Sequence, residues 1–390
     1  MIKEKLGNIV SFQRGYDLTH GQMSGGSVPV VGSSEVIGWH NVARSEAPTL
    51  LIGRSGTVGR PQYYDCAVWP HNTTLFVTNF HGNNPKYCYY LLQNLNLEDY
   101  ANSSGVPTLN RNFIEPLQVK YHEKDEQDRI TSVLGTIDNK ISANNEIVKI
   151  SEKFMREIYD YWFVQFDFPD ENGHPYKSSG GEMVYDEKLK REIPKGWKVQ
   201  NLLKNDLCKD IKPGIDKFDG TKTYYATADV IDGEMGIGAQ IDYDNRESRA
   251  NMQPKPNSVW FAKMKKSVKH ITVMPTSDDL LKKSVFSTGF FGLKCEPETL
   301  SYIRGFIYSD YFEKVKDLNS NGATMEAISN DGVKNVKLIV PDEMTLRKYS
   351  NITNAYLAQN DIFRKENAKL VSLRDWLLPM LMNGQIKVSD

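Results

Sequence analysis

The residues nearest to a catalytic constellation are Pro169-Asp170 followed by Asp186-Glu187-Lys188. They satisfy a loose nuclease pattern in which carboxylates hold a divalent metal and a lysine supports the attacking water. That chemistry needs carboxylates on paired strands of a packed sheet. Here they fall in a Gly-, Ser- and Pro-rich stretch, Phe166 to Lys195. A metal-dependent nuclease is therefore kept only as a rival. Other chemistries lack their motifs: there is no G-x-x-x-x-G-K-[ST], no H-E-x-x-H and no G-x-S-x-G. The Asn/Asp-Pro-Pro-aromatic motif of amino-group methyltransferases is also missing, since Asn84-Pro85-Lys86-Tyr87 lacks the second proline. Cys66, Cys88, Cys208 and Cys295 are too scattered for a zinc ribbon or a disulfide scaffold, which fits a reducing cytosol. No catalytic residue, metal site or cofactor is expected.

Local charge offers a different chemistry. Lys255, Lys263, Lys265, Lys266 and Lys269 occur between Lys255 and His270 without one acid. Between Glu46 and Glu98 the only acid is Asp65, while Arg54, Arg60, His71, His81 and Lys86 lie among Tyr63, Tyr64 and Trp69. Basic side chains with Ser, Thr and Asn on glycine-containing loops suit phosphate contacts and base-edge hydrogen bonds. An ordinary solvated surface is the alternative. The whole chain gives no hint of an acidic partner, with 48 Lys+Arg against 49 Asp+Glu in 390 residues.

These segments need elements to position them, and the elements come in two sets. Val30–Ile37 resembles Tyr224–Ile231 at an offset of 194, Leu51–Arg54 resembles Trp260–Lys263 at 209, and Leu109, Ile114, Leu117 and Val119 fall on Ile328, Val333, Val336 and Leu338 at 219. The growing offset reads as one plan used twice, with insertions in the second copy. Two unrelated α/β domains are the rival reading. Leu50–Ile52, Ala67–Trp69 and Thr74–Thr78 are strand-like runs, and a short helix is predicted from Lys86 to Leu95.

Each copy closes on a long helix. No proline occurs between Pro116 and Pro169, and Ile130, Leu134, Ile137, Ile141, Asn144, Val148, Ser151, Met155, Ile158 and Trp162 step by alternating four and three. That is a coiled-coil seam. After Pro341, Tyr349, Tyr356, Phe363, Leu370 and Leu377 recur at sevens, in register with the first set. Their partner positions, Thr353, Asn360, Asn367 and Arg374, form a poorer, polar seam, in which a buried Asn144 or Asn360 could fix the register. Plain surface helices are the alternative.

The fold class expected is α/β (α+β): two similar α/β domains joined by a pair of long antiparallel coiled-coil-like helices, pseudo-twofold duplicated. The boundaries are 1–122 for the first domain, 123–165 for the first helical region, 166–195 for a connector with a small hairpin, 196–340 for the second domain and 341–390 for the second helical region. Mean hydropathy of −0.51, with no long apolar run and no signal-peptide pattern at the start, predicts a cytoplasmic protein without a membrane span.

The chain resembles, over essentially its whole length, the specificity subunits of type I restriction–modification enzymes. The resemblance rests on Leu50-Leu51-Ile52-Gly53-Arg54-Ser55-Gly56-Thr57-Val58-Gly59, on Asp138-Asn139-Lys140-Ile141, and on Tyr161-Trp162-Phe163 with Phe166-Asp167-Phe168-Pro169. It continues in Gly180-Gly181-Glu182-Met183-Val184, in Glu192-Ile193-Pro194-Lys195-Gly196-Trp197, in Leu373-Arg374-Asp375, and in the run Leu377-Leu378-Pro379 to Ile386. It implies two target-recognition domains, each reading one half of a split DNA sequence. It implies too that the helices set the unread spacer and dock methyltransferase subunits, two in number, with restriction and translocation subunits joining indirectly. This chain would then be a non-catalytic reader.

The residues expected to meet DNA are Arg54, Ser55, Thr57 and Arg60, with Asn72 and Asn110, in the first domain, and Lys263, Lys265, Lys266 and Lys269 in the second, the lysines as phosphate contacts. Arg can take a guanine edge and Asn an adenine edge. Helix pairing and subunit docking are expected of Ile130, Leu134, Ile137, Ile141, Met155, Ile158, Tyr349, Tyr356, Phe363, Leu370 and Leu377. A helix from Glu123 to Phe163 would run about 60 Å at ~1.5 Å per residue, enough to address major-groove segments a helical turn or more apart, ~34–36 Å. A protein scaffold that does not touch DNA is the remaining rival.

Overall fold

The computed structural model of the chain describes residues 1–102, 107–231, 234–322 and 326–388. The chain divides into two compact units, Met1–Ala143 with Glu366–Asp390, and Asn144–Lys365.

In the first unit a four-stranded antiparallel sheet has the order Ser11–Arg14, Thr74–Asn79, Thr49–Gly53, Pro61–Tyr64. In the second unit the order is Cys208–Asp210, Phe290–Cys295, Ser258–Ala262, His270–Val273, again antiparallel. By chain order both sheets run first, fourth, second, third. Every residue of Thr49–Gly53 and of Ser258–Ala262 is buried. That is why each reads as a continuous apolar run and not as an alternating strand.

A smaller sheet accompanies each. Val28–Val31 lies between Val36–His40 and Trp69–Pro70, antiparallel to the one and parallel to the other. Lys222–Tyr225 lies in the same way between Ala239–Ile241 and Ser284–Ser287, with Ala250–Met252 added at the edge. A two-stranded ribbon completes each unit: Ile2–Lys5 with Gln118–Tyr121, and Lys198–Asn201 with Lys337–Val340. The 209 and 219 offsets thus join equivalent elements, and so does the 194 offset at Val30–Val31 and Tyr224–Tyr225; it fails beyond them, because Val36–His40 answers to Ala239–Ile241, whereas Val230–Ile231 pairs with Glu234–Met235. The plan is duplicated.

The short helix of the first unit spans Pro85–Gln93, with Pro at its first turn and the Asn84 side chain accepting the N–H groups of Lys86 and Tyr87 at 2.9 and 3.1 Å. Its counterpart is Pro297–Ile307, and there the second unit inserts another helix, Asp310–Leu318, capped by Ser309. The connector belongs to the second unit. Its hairpin pairs Met183–Asp186 with Arg191–Pro194, and Phe168 stacks on Trp197 with centroids 4.8 Å apart.

The long helices are Lys124–Tyr159, extended by a π-turn over Asp160–Val164, and Glu343–Met382. Each contributes to both units. In the first unit Ile130 and Leu134 share a core with Leu377, Leu378 and Leu381, and Arg374 donates to Asp138 at 3.2 Å. In the second, the Ser151 hydroxyl donates to Asn360 at 2.6 Å and the Trp162 ring lies 5.6 Å from that of Tyr349. Residues pair in descending against ascending order, so the helices are antiparallel.

Ile130, Leu134, Ile137, Met155 and Tyr349 are buried, while Ile141, Ile158, Phe363, Leu370 and Leu377 are half-buried. Tyr356 is 39% exposed, its ring 5.1 Å from that of Phe154 at the margin of the pair. The buried face of the second helix passes instead through Thr353 and Asn360, the seam expected to be the poorer. Both are satisfied locally: Thr353 donates to the Tyr349 carbonyl at 2.9 Å, and Asn360 donates to Glu152 at 3.2 Å while accepting from Ser151. Among the described residues no helix is long and apolar enough to cross a membrane.

Candidate nucleic-acid interface

The glycine-rich segment is the hairpin loop between Thr49–Gly53 and Pro61–Tyr64. Gly53 N–H donates to the Arg60 carbonyl at 3.2 Å, and Gly59 N–H to the Gly53 carbonyl at 2.8 Å. Two of its glycines are obligatory. A Cβ on Gly53 would sit 1.7 Å from the Thr57 carbonyl oxygen, and one on Gly59, at φ +76°, 2.5 Å from the Glu98 nitrogen.

Arg54, the first residue past the strand, ties three segments together. Its N–H donates to the Thr73 carbonyl at 2.7 Å and its carbonyl accepts from Leu109 N–H at 2.8 Å. Asn72 and Asn110 are the neighbours of those two partners, so all six candidates of the first domain lie on segments that meet at this residue. Arg54 and Ser55 are half-buried; Thr57 and Arg60 are exposed. Among the described residues neither guanidinium has an ion-pair partner that would brace it to its own unit. The two asparagines are engaged. The Asn72 amide donates to Asp17, and Asn110 caps the helix Arg111–Ile114 by accepting from Asn112 N–H at 3.0 Å.

The second unit repeats the frame. Lys263 N–H donates to the Gly289 carbonyl and the Lys263 carbonyl accepts from Ile328 N–H, both at 2.9 Å; Ala262 N–H donates to the Lys269 carbonyl at 2.9 Å. Lys263 therefore stands where Arg54 does and Lys269 where Arg60 does. The lysines are not equally free. Lys265 pairs with Glu326 at 2.8 Å and Lys269 donates to the Thr227 carbonyl at 2.6 Å. Lys266 is exposed. Burial, and then the Arg249 charge, hold the Lys263 ammonium below the ordinary lysine range.

Arg249 escaped the reading of the sequence because it sits in Arg246-Glu247-Ser248-Arg249, where the charges are mixed. Its guanidinium would lie 3.4 Å from a Cβ on Gly289, beside the Lys263 backbone. Arg44 escaped too; it is exposed and lies over the rings of Tyr16 and Trp69 at 5.4 and 5.1 Å, a pairing of residues far apart in sequence. Neither leaves a local sequence signal.

The nuclease-like residues are used in turns. Asp170 accepts from Asn172 N–H at 2.8 Å and His174 N–H at 2.9 Å, which lowers its pKa, the His174 bond foremost. Asp186 accepts from the N–H groups of Lys188 and Leu189, both at 2.9 Å, and the Lys188 ammonium donates to the Val199 carbonyl at 3.2 Å. Among the described residues no group of three or more His, Cys, Asp or Glu could hold a metal ion.

Residues 8–152 match the family described as the type I restriction modification DNA specificity domain. The chain is 23% identical over 326 residues to the type I restriction enzyme MjaIX specificity subunit of Methanocaldococcus jannaschii, covering 78% of this chain and 70% of that one. In fold it is similar to the S subunit of a type I restriction–modification system from M. genitalium, with a TM-score of 0.61 and 16% identity over 98% of this chain and 96% of that one. Residues 8–152 thus carry the match to the type I restriction modification DNA specificity domain, and the chain, with two copies of one sheet plan and a pair of long antiparallel helices, is similar over most of its length to specificity subunits of type I restriction–modification systems.

Proposed function

We propose that this chain reads duplex DNA in two parts, one with each unit's strand-end loop, leaving an unread spacer between them. The observation that carries the reading is the equivalence of the two loops. The same two backbone-bonded positions at the end of the same buried strand hold Arg54 and Arg60 in one unit and Lys263 and Lys269 in the other. Cations at fixed backbone positions suit a polyanion whose charges recur regularly. In this reading Arg54, Ser55, Thr57 and Arg60 face bases, Asn72 and Asn110 stand beside them, and Lys263 and Lys266 face phosphates. Lys265 and Lys269, which hold their own loop, contribute chiefly their charge.

The long helices set the spacer and dock two methyltransferase subunits, through which restriction and translocation subunits join. The chain itself is non-catalytic, carries no cofactor and works in the cytoplasm. The test is to purify it with the subunits encoded beside it and to map the methylated bases of cells that make the complex. A bipartite site with a fixed unread gap is expected; a continuous site, or no methylation that depends on this chain, would overturn the reading.

A further inference from the structure

We infer that Lys316, with Asp317, is a positioning residue for the reading loop of the second unit; the inference rests on the function just proposed. The loop from Lys263 to Lys269 lacks the close-packed glycines that fix its counterpart, and something else must hold it. The inserted helix Asp310–Leu318 does so with consecutive residues. The Lys316 ammonium is fully buried, donates to the Ser267 carbonyl at 2.8 Å and pairs with Glu313 at 2.6 Å. Asp317 accepts the neighbouring Lys266 N–H at 3.0 Å. Glu313, one turn earlier, also holds the His270 ring at 2.9 Å, at the start of the strand that leaves the loop.

Lys266 is thereby fixed from both sides, in a left-handed backbone conformation at φ +59° that a residue with a side chain adopts only when its surroundings impose it. The exposed Lys266 side chain is thus presented from a rigid support. A buried ammonium is a costly way to hold a loop unless its geometry matters. A structural role confined to folding would be met more cheaply by apolar packing.

The test uses the full chain and duplexes that carry the methylated site, or that site with single mismatches. Lys316→Met and Asp317→Ala are measured by salt titration of binding to each duplex. Lys316→Met is expected to weaken cognate and mismatched duplexes alike and to lower the salt slope by about one, as removal of the Lys266 side chain itself should. Asp317→Ala should act in the same direction and less. Should Lys316→Met fail to fold, as judged by its melting curve, Asp317→Ala decides alone. Folded variants that keep the affinity and the salt slope of the unaltered chain would overturn the inference. If the unaltered chain discriminates in neither half-site, the proposed function itself fails.

Discussion

The two strand-end loops are the same hairpin held by opposite means. In the first unit the loop is held by what is missing. Gly53 admits the Thr57 carbonyl and Gly59 admits the backbone at Leu97 and Glu98, at the short helical turn Leu97–Tyr100. In the second unit the place of that turn is taken by Asp310–Leu318, which holds the loop through side chains, Lys316 and Asp317. The frame at the ends is unchanged, with Arg54 and Lys263 making the same pair of backbone hydrogen bonds. A duplicated fold therefore keeps the positions from which charge is presented and lets the support for the interior diverge. The two loops need not present the same shape to a ligand.

Equivalent positions allow paired tests. The largest effect is expected on the helices, where Ile137 and Tyr356 are equivalent, 219 residues apart, but 8% and 39% exposed. Ile137→Asp would leave a carboxylate buried without a partner and should cost roughly 3–5 kcal/mol. Tyr356→Asp should cost less than about 1.5 kcal/mol, because water reaches the site. Urea unfolding of both variants checks this, and equal losses would break the claimed asymmetry.

That asymmetry also marks where the sequence could be read and where it could not. The duplicated sheets were legible because buried central strands such as Leu50–Ile52 and Val259–Phe261 are continuous apolar runs, whose order survives insertions. The extent of the first helix and the start of the second were legible from prolines and heptads, while the second runs on through Pro379 to Met382. On the second helix the two seams were legible, but not which of them is the more buried. The more buried one runs through Thr353 and Asn360, whose polar groups are satisfied by Tyr349, Ser151 and Glu152, and hydrophobic periodicity cannot register the burial of a seam of that kind. Lys316 was hidden for the same reason, since a buried charge looks in sequence like one more surface lysine. At the loops the sequence marks the basic residues. Which of them are already engaged, as Lys265 is by Glu326, depends on residues some sixty positions away.

Next in size is the loop interior. Gly53→Ala would drive a Cβ against two carbonyl oxygens, of Thr57 and Ser33, at 1.7 and 2.9 Å. Backbone atoms cannot yield as a flexible side chain would, so a loss of about 3 kcal/mol is expected. The reciprocal change, Ala262→Gly, should cost about 1 kcal/mol, mainly through the added freedom of the unfolded chain. Thermal melts of the two variants test the contrast. A stable Gly53→Ala chain would mean that the first loop is no tighter than the second.

Readout comes after stability. Arg54→Ala should cost about 1–3 kcal/mol in binding and relax one position of the first half-site, whereas Lys266→Ala should weaken all sequences alike and lower the salt slope by about one. Salt titrations on cognate and single-mismatch duplexes separate the two. Full discrimination retained by Arg54→Ala at every position would remove base reading from that loop.

The smallest effect concerns Asn110 and its equivalent, Ser329. Both cap the short helix that follows the segment bonded to the loop: Asn110 accepts from Asn112 N–H, and Ser329 accepts from Gly332 N–H at 3.0 Å. Replacing either with Ala should cost about 1 kcal/mol of stability, the usual worth of an N-cap. If capping is all that either does, the two variants should match in urea midpoint shift and leave DNA discrimination untouched. Asn110, however, is exposed and follows Leu109, whose N–H is held by the Arg54 carbonyl, so its amide can also reach a base edge. Discrimination lost in Asn110→Ala but kept in Ser329→Ala, at equal cost in stability, would make Asn110 a reader as well as a cap. Equal discrimination in both would leave the first half-site to Arg54, Ser55, Thr57, Arg60 and Asn72.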